Sequence, residues 1–351
     1  MAKKEYYSIK NLLATKANYM MLLGQRANGK SYQVKKTVLE DAYNNKHKFV
    51  YLRRWKADIK TKAVEAYFDD MPIHQITKGD WENIVAWNGN IYFIRVNAKG
   101  ETEKSEPIGV YCALNEAERY KSWAFVNYAY IVYEEFITDQ IYLAEEPRKL
   151  QQFISTVARD KNVTVFLIGN TLSRVCPYFS EWSLDGVLKQ KIGTIEIYHF
   201  HTESGVVDIA VEYCTNVKHT NTMFFGQASK QIVSGEWDTE DLPKLPRPKE
   251  FYEKVYEVLV EYQKFKFVIE LLIEPIDGGV ICFIYPCTKQ KTNIVRIITE
   301  AFSDNPFITN YLKLDKRPEK MIHDCLMNNK VAYSDNLTGT DFKHVKDAMR
   351  L

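Results

Sequence analysis

Six cysteines, Cys112, Cys176, Cys214, Cys282, Cys287 and Cys325, are scattered without one CxxC pair. That spacing excludes a zinc knuckle or a disulfide frame and predicts reduced, mostly buried thiols. A long hydrophobic run is also missing. The apolar stretch Tyr19 to Leu23 is too short for a signal peptide or a membrane span, and it follows a charged N-terminus. Neither a membrane partner nor export from the producing cell is expected. An excess of one charge is absent too: 47 Lys+Arg stand against 45 Asp+Glu, a net +2. Any polyanionic partner must therefore be met by a local patch rather than by the field of the whole protein. His199 and His201 alternate on an expected strand with no third ligand beside them, so ordinary strand residues are expected there rather than a metal site. What remains is 351 residues of globular composition, 46% hydrophobic and 26% charged, enough chain for two domains.

Short apolar runs alternate with helical patterns along the first two hundred residues. Tyr19 to Gly24 reads as a strand and Ser31 to Tyr43 as a helix. Phe49 to Leu52, Tyr128 to Tyr133, Val163 to Ile168 and Thr194 to Phe200 read as further strands, and Glu146 to Val157 as a helix. Ile84 to Val96 is a hairpin around Asn88-Gly89-Asn90, inserted on the main sheet. This alternation predicts a mostly parallel sheet with helices on both faces and a ligand at the carboxyl ends of its strands. The pattern changes after residue 205. Asp238 to Glu250 holds three prolines among charges and reads as a linker or exposed arm. Phe251 to Tyr262 reads as helical, and Phe265 to Ile273 and Val280 to Tyr285 as strands. The expected domains are 1–205, a linker over 206–250, and a smaller α+β domain over 251–351.

The most informative stretch is Gly24-Gln25-Arg26-Ala27-Asn28-Gly29-Lys30-Ser31, which fits GxxxxGK[ST] between a strand and a helix. Glycines let the backbone curl so that its N–H groups face a phosphate, and the helix N-terminus adds positive potential. Lys30 would meet the β and γ phosphates of ATP, and Ser31 would ligate Mg2+. Gly24, Arg26, Asn28 and Gly29 complete the expected nucleotide loop. A second element follows at Tyr128 to Glu135, an apolar strand ending in two acids. Glu134 is the expected metal acid, and Glu135 the general base that orients the attacking water. Because Glu134 stands where Asp is usual, which acid does which job stays open. Nothing fits a guanine-specific NKxD, so ATP is favoured. Asn170, after the strand VTVFLI, is a candidate γ-phosphate sensor.

In order, GQRANGKS, KFVYLRRWK, YIVYEEF and TVARDKNVTVFLIGNTLSRVCPYF resemble the DNA-encapsidation ATPases of phi29-like tailed phages, relatives of large terminase motors. The resemblance covers about residues 15 to 180. It implies a P-loop NTPase core of the additional-strand, catalytic-Glu type. It also implies a homo-oligomeric, pentameric ring at the portal vertex of an empty capsid, hydrolysing ATP to drive double-stranded DNA inward. Contacts with the portal, the prohead and its structural RNA are implied, as is a location in the host cytoplasm and transiently at that vertex, not in the mature virion. By the same resemblance Lys121 corresponds to a trans-acting lysine, and the segment of Arg159 and Lys161 to the arginine finger, with the register between the two open.

A local basic patch is present in Lys46, Lys48, Arg53, Arg54, Lys56, Lys60 and Lys62, with one acid, Asp58. Lys56 and Lys60 are the candidate DNA contacts; Arg53 and Arg54 are alternatives for the nucleotide or a neighbouring subunit. Glu270, Glu274 and Asp277 make no convincing set with Asp304, Asp315 and Asp324. The terminase resemblance implies an RNase H-like C-terminal domain, and without such an acid set it is expected to lack nuclease activity. The alternatives are a terminase with a working nuclease, another P-loop translocase or helicase, and a non-hydrolysing nucleotide switch.

Overall fold

Strand-forming runs flanked by amphipathic helices build the first unit. The computed structural model describes residues 7–138, 141–159, 161–203, 205–215, 237, 241–288, 295–298, 308–309, 312 and 316–348. It divides into two units, Met1–Leu172 with Glu181–Glu236, and Ser173–Ser180 with Trp237–Leu351.

Helix α1 (Lys10–Ala14) precedes β1 (Tyr19–Leu23), α2 (Lys30–Asn44), β2 (Lys48–Arg53), α3 (Thr61–Phe68) and α4 (Ile73–Ile76). An antiparallel insertion follows, β3 (Asn83–Trp87), β4 (Asn90–Val96) and β5 (Thr102–Lys104), joined through β6 (Gly109–Ala113) to the main sheet. Then come β7 (Tyr128–Glu134), α5 (Glu146–Ala158), β8 (Thr164–Ile168), α6 (Pro177–Glu181), β9 (Thr194–Thr202) and β10 (Gly205–Tyr213). The sheet order is β3-β4-β6-β2-β7-β8-β1-β10-β9, with β5 on β4. From β6 to β10 every pairing is parallel, and β9 closes the edge antiparallel to β10. The two-residue alternation of β7 sends Val132 toward α2, whose Val34, Val38 and Leu39 share that core with Val64 and Phe68 of α3. On the opposite face Phe153 of α5 packs edge-on against Tyr120 and Phe125. Both faces are therefore covered, as a parallel sheet requires.

The sheet runs past the expected boundary at 205. Strand β10 pairs with β1 from Ile209 to Tyr213, so these residues belong to the first unit and not to a linker. Of the expected linker, 216–236 lie outside the described residues. The proline-rich stretch from 241 to 250 lies on the second unit: the carbonyl of Pro243 accepts from the Tyr333 amide at 2.8 Å, and Leu242 packs on that unit's core.

The second unit carries β11 (Glu253–Tyr262), β12 (Phe265–Ile273), β13 (Val280–Pro286), β14 (Val295–Ile298), β15 (Ile308–Thr309), α7 (Arg317–Met327), β16 (Val331–Tyr333) and α8 (Asn336–Ala348). The expected helix at 251–262 is thus the strand β11. Its Tyr256, Val258, Val260 and Tyr262 recur at every second position on the core side, and β-branched and aromatic residues at that period favour a pleated surface. The sheet order is β15-β14-β11-β12-β13-β16. The three consecutive strands β11 to β13 form an antiparallel meander, and β14 and β15 extend it in parallel beyond β11.

Candidate functional site

The loop between β1 and α2 closes around Lys30. Gly24 and Gly29 hold φ of 143° and 99°, values that side chains rarely tolerate. Lys30 is 4% exposed. Its Nζ donates to the carbonyls of Gly24 (3.1 Å) and Gln25 (2.6 Å), to Asn28 Oδ1 (3.3 Å) and to Asn170 Oδ1 (3.2 Å). Burial pushes the ammonium down to about 8. These neutral acceptors can be exchanged for phosphate oxygens without unpairing the cation. Asn28 also accepts from the Lys30 amide at 3.2 Å, pinning the turn.

Strand β8 lies between β1 and β7, so Asn170 stands beside both the loop and the acid pair. The alternation that points Val132 toward α2 points Glu134 the same way. Glu134 is buried and accepts from the Tyr67 hydroxyl at 2.6 Å. Burial raises its carboxyl above the usual carboxylate range, opposed by hydrogen bonds from Tyr67 and Ser31. Glu135 leaves the strand at φ 57° with its side chain 59% exposed, and its carboxylate takes Arg53 Nη2 at 2.5 Å. A cavity of about 490 Å3 is lined by the loop, Lys35, Asp70, Glu134, Glu135 and Asn170. Ser31 and Glu134 offer the hard oxygen donors that Mg2+ prefers, and both line this cavity. These residues fit such an ion.

Arg53 and Arg54 leave the basic patch. Arg53 pairs with Glu135 and, at 3.7 Å, with Asp58. Arg54 is buried in a bidentate pair with Glu146, Nε to Oε2 at 2.7 Å and Nη2 to Oε1 at 3.0 Å. It donates further to the carbonyls of Glu135 (3.1 Å) and Phe136 (2.7 Å), while Tyr133 donates to Glu146 at 2.7 Å. A charge at the end of strand β2 was visible in the sequence; its partner 92 residues away was not. The remaining basic residues do not form one face. Lys46 and Lys48 stand before the body of β2, and Lys56, Lys60 and Lys62 beyond its other end, separated by roughly 20 Å of strand. Lys56 and Lys60 are exposed, Lys56 with Glu116 at 3.0 Å.

Lys121, Arg159 and Lys161 stand elsewhere. Lys121 and the loop to Tyr128 precede β7, and Arg159 and Lys161 precede β8, which puts all three at the amino ends of strands whose carboxyl ends carry the acids and Asn170. Arg159, at φ 45°, donates to the Trp123 carbonyl at 2.8 Å, and Lys161 to that of Phe125 at 2.6 Å. Lys121 is exposed with Glu118 at 2.5 Å. The structure brings these three together and separates them from the cavity of their own chain.

Sequence reasoning missed Tyr67 and the pair of Lys35 with Asp70. Among the described residues no cluster of three His, Cys, Asp or Glu is arranged to hold a metal, and His199 pairs with Asp208 at 2.7 Å. No described helix is long and apolar enough to cross a membrane.

A glycine loop closing on a buried lysine, with a strand ending at Asn170 between it and an acid-tipped strand, is the arrangement of a P-loop fold. Residues 1–212 match the family model described as Podovirus DNA encapsidation protein (Gp16), and the chain belongs to that family. The DNA packaging proteins of Bacillus phages phi29 and PZA are each 26% identical over 192 residues. That match covers 52% of this chain and 52% of each relative, so the chain spans about half the length of the curated relatives it matches. Two solved structures share the fold. The bacteriophage Phi-29 viral genome packaging motor assembly gives a TM-score of 0.58 at 19% identity, covering 98% of this chain and 99% of that one. The Phi-28 gp11 DNA packaging motor gives 0.55 at 18% identity, covering 99% of both.

Proposed function

We propose that the chain is the ATP-hydrolysing subunit of a homo-oligomeric, pentameric ring that drives double-stranded viral DNA into a preformed capsid. One observation carries the reading. The carboxyl edge of the sheet holds a loop lysine, a sensor and an acid pair, while the basic residues expected to complete the site stand at the other edge of the same sheet. A subunit built this way needs a neighbour. Lys30 would draw the β and γ phosphates, and Ser31 with Glu134 would hold Mg2+. Bound magnesium would neutralise charge on the phosphate oxygens. Glu135 would take the proton of the attacking water once Arg53 releases it, and Asn170 would register the γ-phosphate through Lys30. Arg159 or Lys161, with Lys121, would neutralise the leaving phosphoryl group of the adjacent subunit.

The strand order of the second unit supports an RNase H-like reading. Glu270, buried on β12, is neutralised by Lys249 at 2.6 Å, which favours docking or DNA handling over cleavage. The ring would act in the host cytoplasm at the portal vertex, against the portal and prohead RNA. The test is ATP turnover by the full chain with and without proheads and DNA. Turnover stimulated by both together is expected, and turnover indifferent to both overturns the motor reading.

A further inference from the structure

Helix α3 joins two places treated separately so far. Its first turn is laid down on Lys60, whose carbonyl accepts from Ala63 (2.8 Å) and Val64 (3.0 Å). One residue before its end, Tyr67 turns inward and its hydroxyl donates to Glu134 at 2.6 Å. The ring is held on every side. It stacks on Tyr51 of β2 with centroids 4.4 Å apart at 23°, meets Phe68 edge-on, and lies under Lys35 Nζ at 4.6 Å. Lys35 in turn donates to the Tyr67 carbonyl at 2.6 Å and pairs with Asp70. A tyrosine clamped this way, with a single polar atom aimed at one carboxylate oxygen, has little freedom to do anything except fix that carboxylate.

We propose that Tyr67 is a positioning residue for Glu134, holding its carboxylate in the cavity that Ser31 also lines so that magnesium would meet an oriented oxygen. Glu134 ends its strand at that cavity. Without the Tyr67 hydroxyl the carboxylate is free to rotate, and the cost of ordering it falls on metal binding. Groups that orient a metal ligand from behind are commonly worth tenfold or more in metal affinity.

The inference rests on the reading of Glu134 as the magnesium acid, and the test separates the two. Affinity of the full-length protein for a fluorescent ATP analogue is measured by titration with and without Mg2+, for wild type, Tyr67→Phe and Glu134→Ala. Tyr67→Phe keeps the ring stack and removes only the hydroxyl. It is expected to bind the metal-free nucleotide as wild type does, and to lose roughly tenfold of the gain that Mg2+ confers. Its turnover should climb back toward the wild-type kcat as Mg2+ is raised, which a loosened fold would not allow. A wild-type Mg2+ gain in Tyr67→Phe, beside a lost gain in Glu134→Ala, overturns the role of Tyr67 alone. A full gain in Glu134→Ala overturns the magnesium reading itself.

Discussion

The two edges of the first unit's parallel sheet differ in how their charged side chains are held. At the carboxyl edge Lys30, Glu134 and Arg54 are buried with specific partners, and each is aimed at a point inside one cavity or one turn. At the amino edge Lys121 and Arg159 are exposed, Arg159 and Lys161 donate to backbone carbonyls of one loop, and Lys161 also lies over the Tyr128 ring. In the proposed ring the contrast is between a half-site organised before its ligand arrives and a set of cations that would serve the neighbouring chain. In the proposed ring these edges face each other across subunits.

Mixing breaks that comparison most sharply. Arg159→Ala and Lys161→Ala, tested singly, identify the finger: the variant that removes it should lose roughly a thousandfold or more in turnover while retaining nucleotide affinity. Mixed with Glu135→Gln subunits, it should recover activity, because each defective chain then meets an intact partner at some sites. Steady-state turnover of the mixed rings reads this out, and no recovery at any ratio would overturn the assignment of these cations to a neighbour's site. Glu135→Gln alone should lose roughly a hundredfold to ten-thousandfold and keep ATP binding by equilibrium dialysis. Hydrolysis at the wild-type rate in that variant would remove Glu135 from the mechanism.

How much of this was readable differs between the edges for a physical reason. The loop from Gly24 to Ser31 is a local motif: eight consecutive residues specify their own turn, so spacing alone located Lys30 under the correct strand. Glu134 was readable for the same reason, as an acid that ends a local apolar run. Arg54 with Glu146, and Tyr67 with Glu134, are joined only by tertiary folding across 92 and 67 residues, and a single sequence carries no trace of such a pairing. Strand β11 was misread because Tyr, Val and Glu can satisfy either period over ten residues; pairing with β12 on one side and β14 on the other decides it. Strand β10 was lost because nothing in its sequence says that β1 needs a parallel neighbour. The run of basic residues from Lys46 to Lys62 was legible as charge and illegible as a surface, since β2 passes through the middle of it.

Below the catalytic effects comes the cost of unpairing the carboxyl edge. Arg54→Met leaves Glu146, fully buried, without its cation, and an uncompensated interior charge costs about 3–5 kcal/mol. Urea unfolding should show that loss. The double variant Arg54→Met with Glu146→Leu should recover much of the stability while leaving turnover low, because the carbonyls of Glu135 and Phe136 lose their donor in both. Recovery of turnover together with stability would mean that Arg54 serves the fold and not the placement of Glu135.

The smallest effect concerns Lys56 and Lys60, the exposed cations beyond β2. If they track the duplex backbone, each replaces about one counterion, and the dependence of log affinity on log salt flattens by about one for each lysine removed. Lys56→Ala with Lys60→Ala should therefore weaken DNA binding by a similar factor for any sequence and reduce the salt slope by about two, measured by fluorescence anisotropy over a salt series. The paired Glu116 beside Lys56 makes a distinction between the two lysines: part of the Lys56 charge is already neutralised, so Lys60→Ala alone should move the slope further than Lys56→Ala alone. An unchanged slope in the double variant would assign the duplex to some other face and leave both residues as solvated charge.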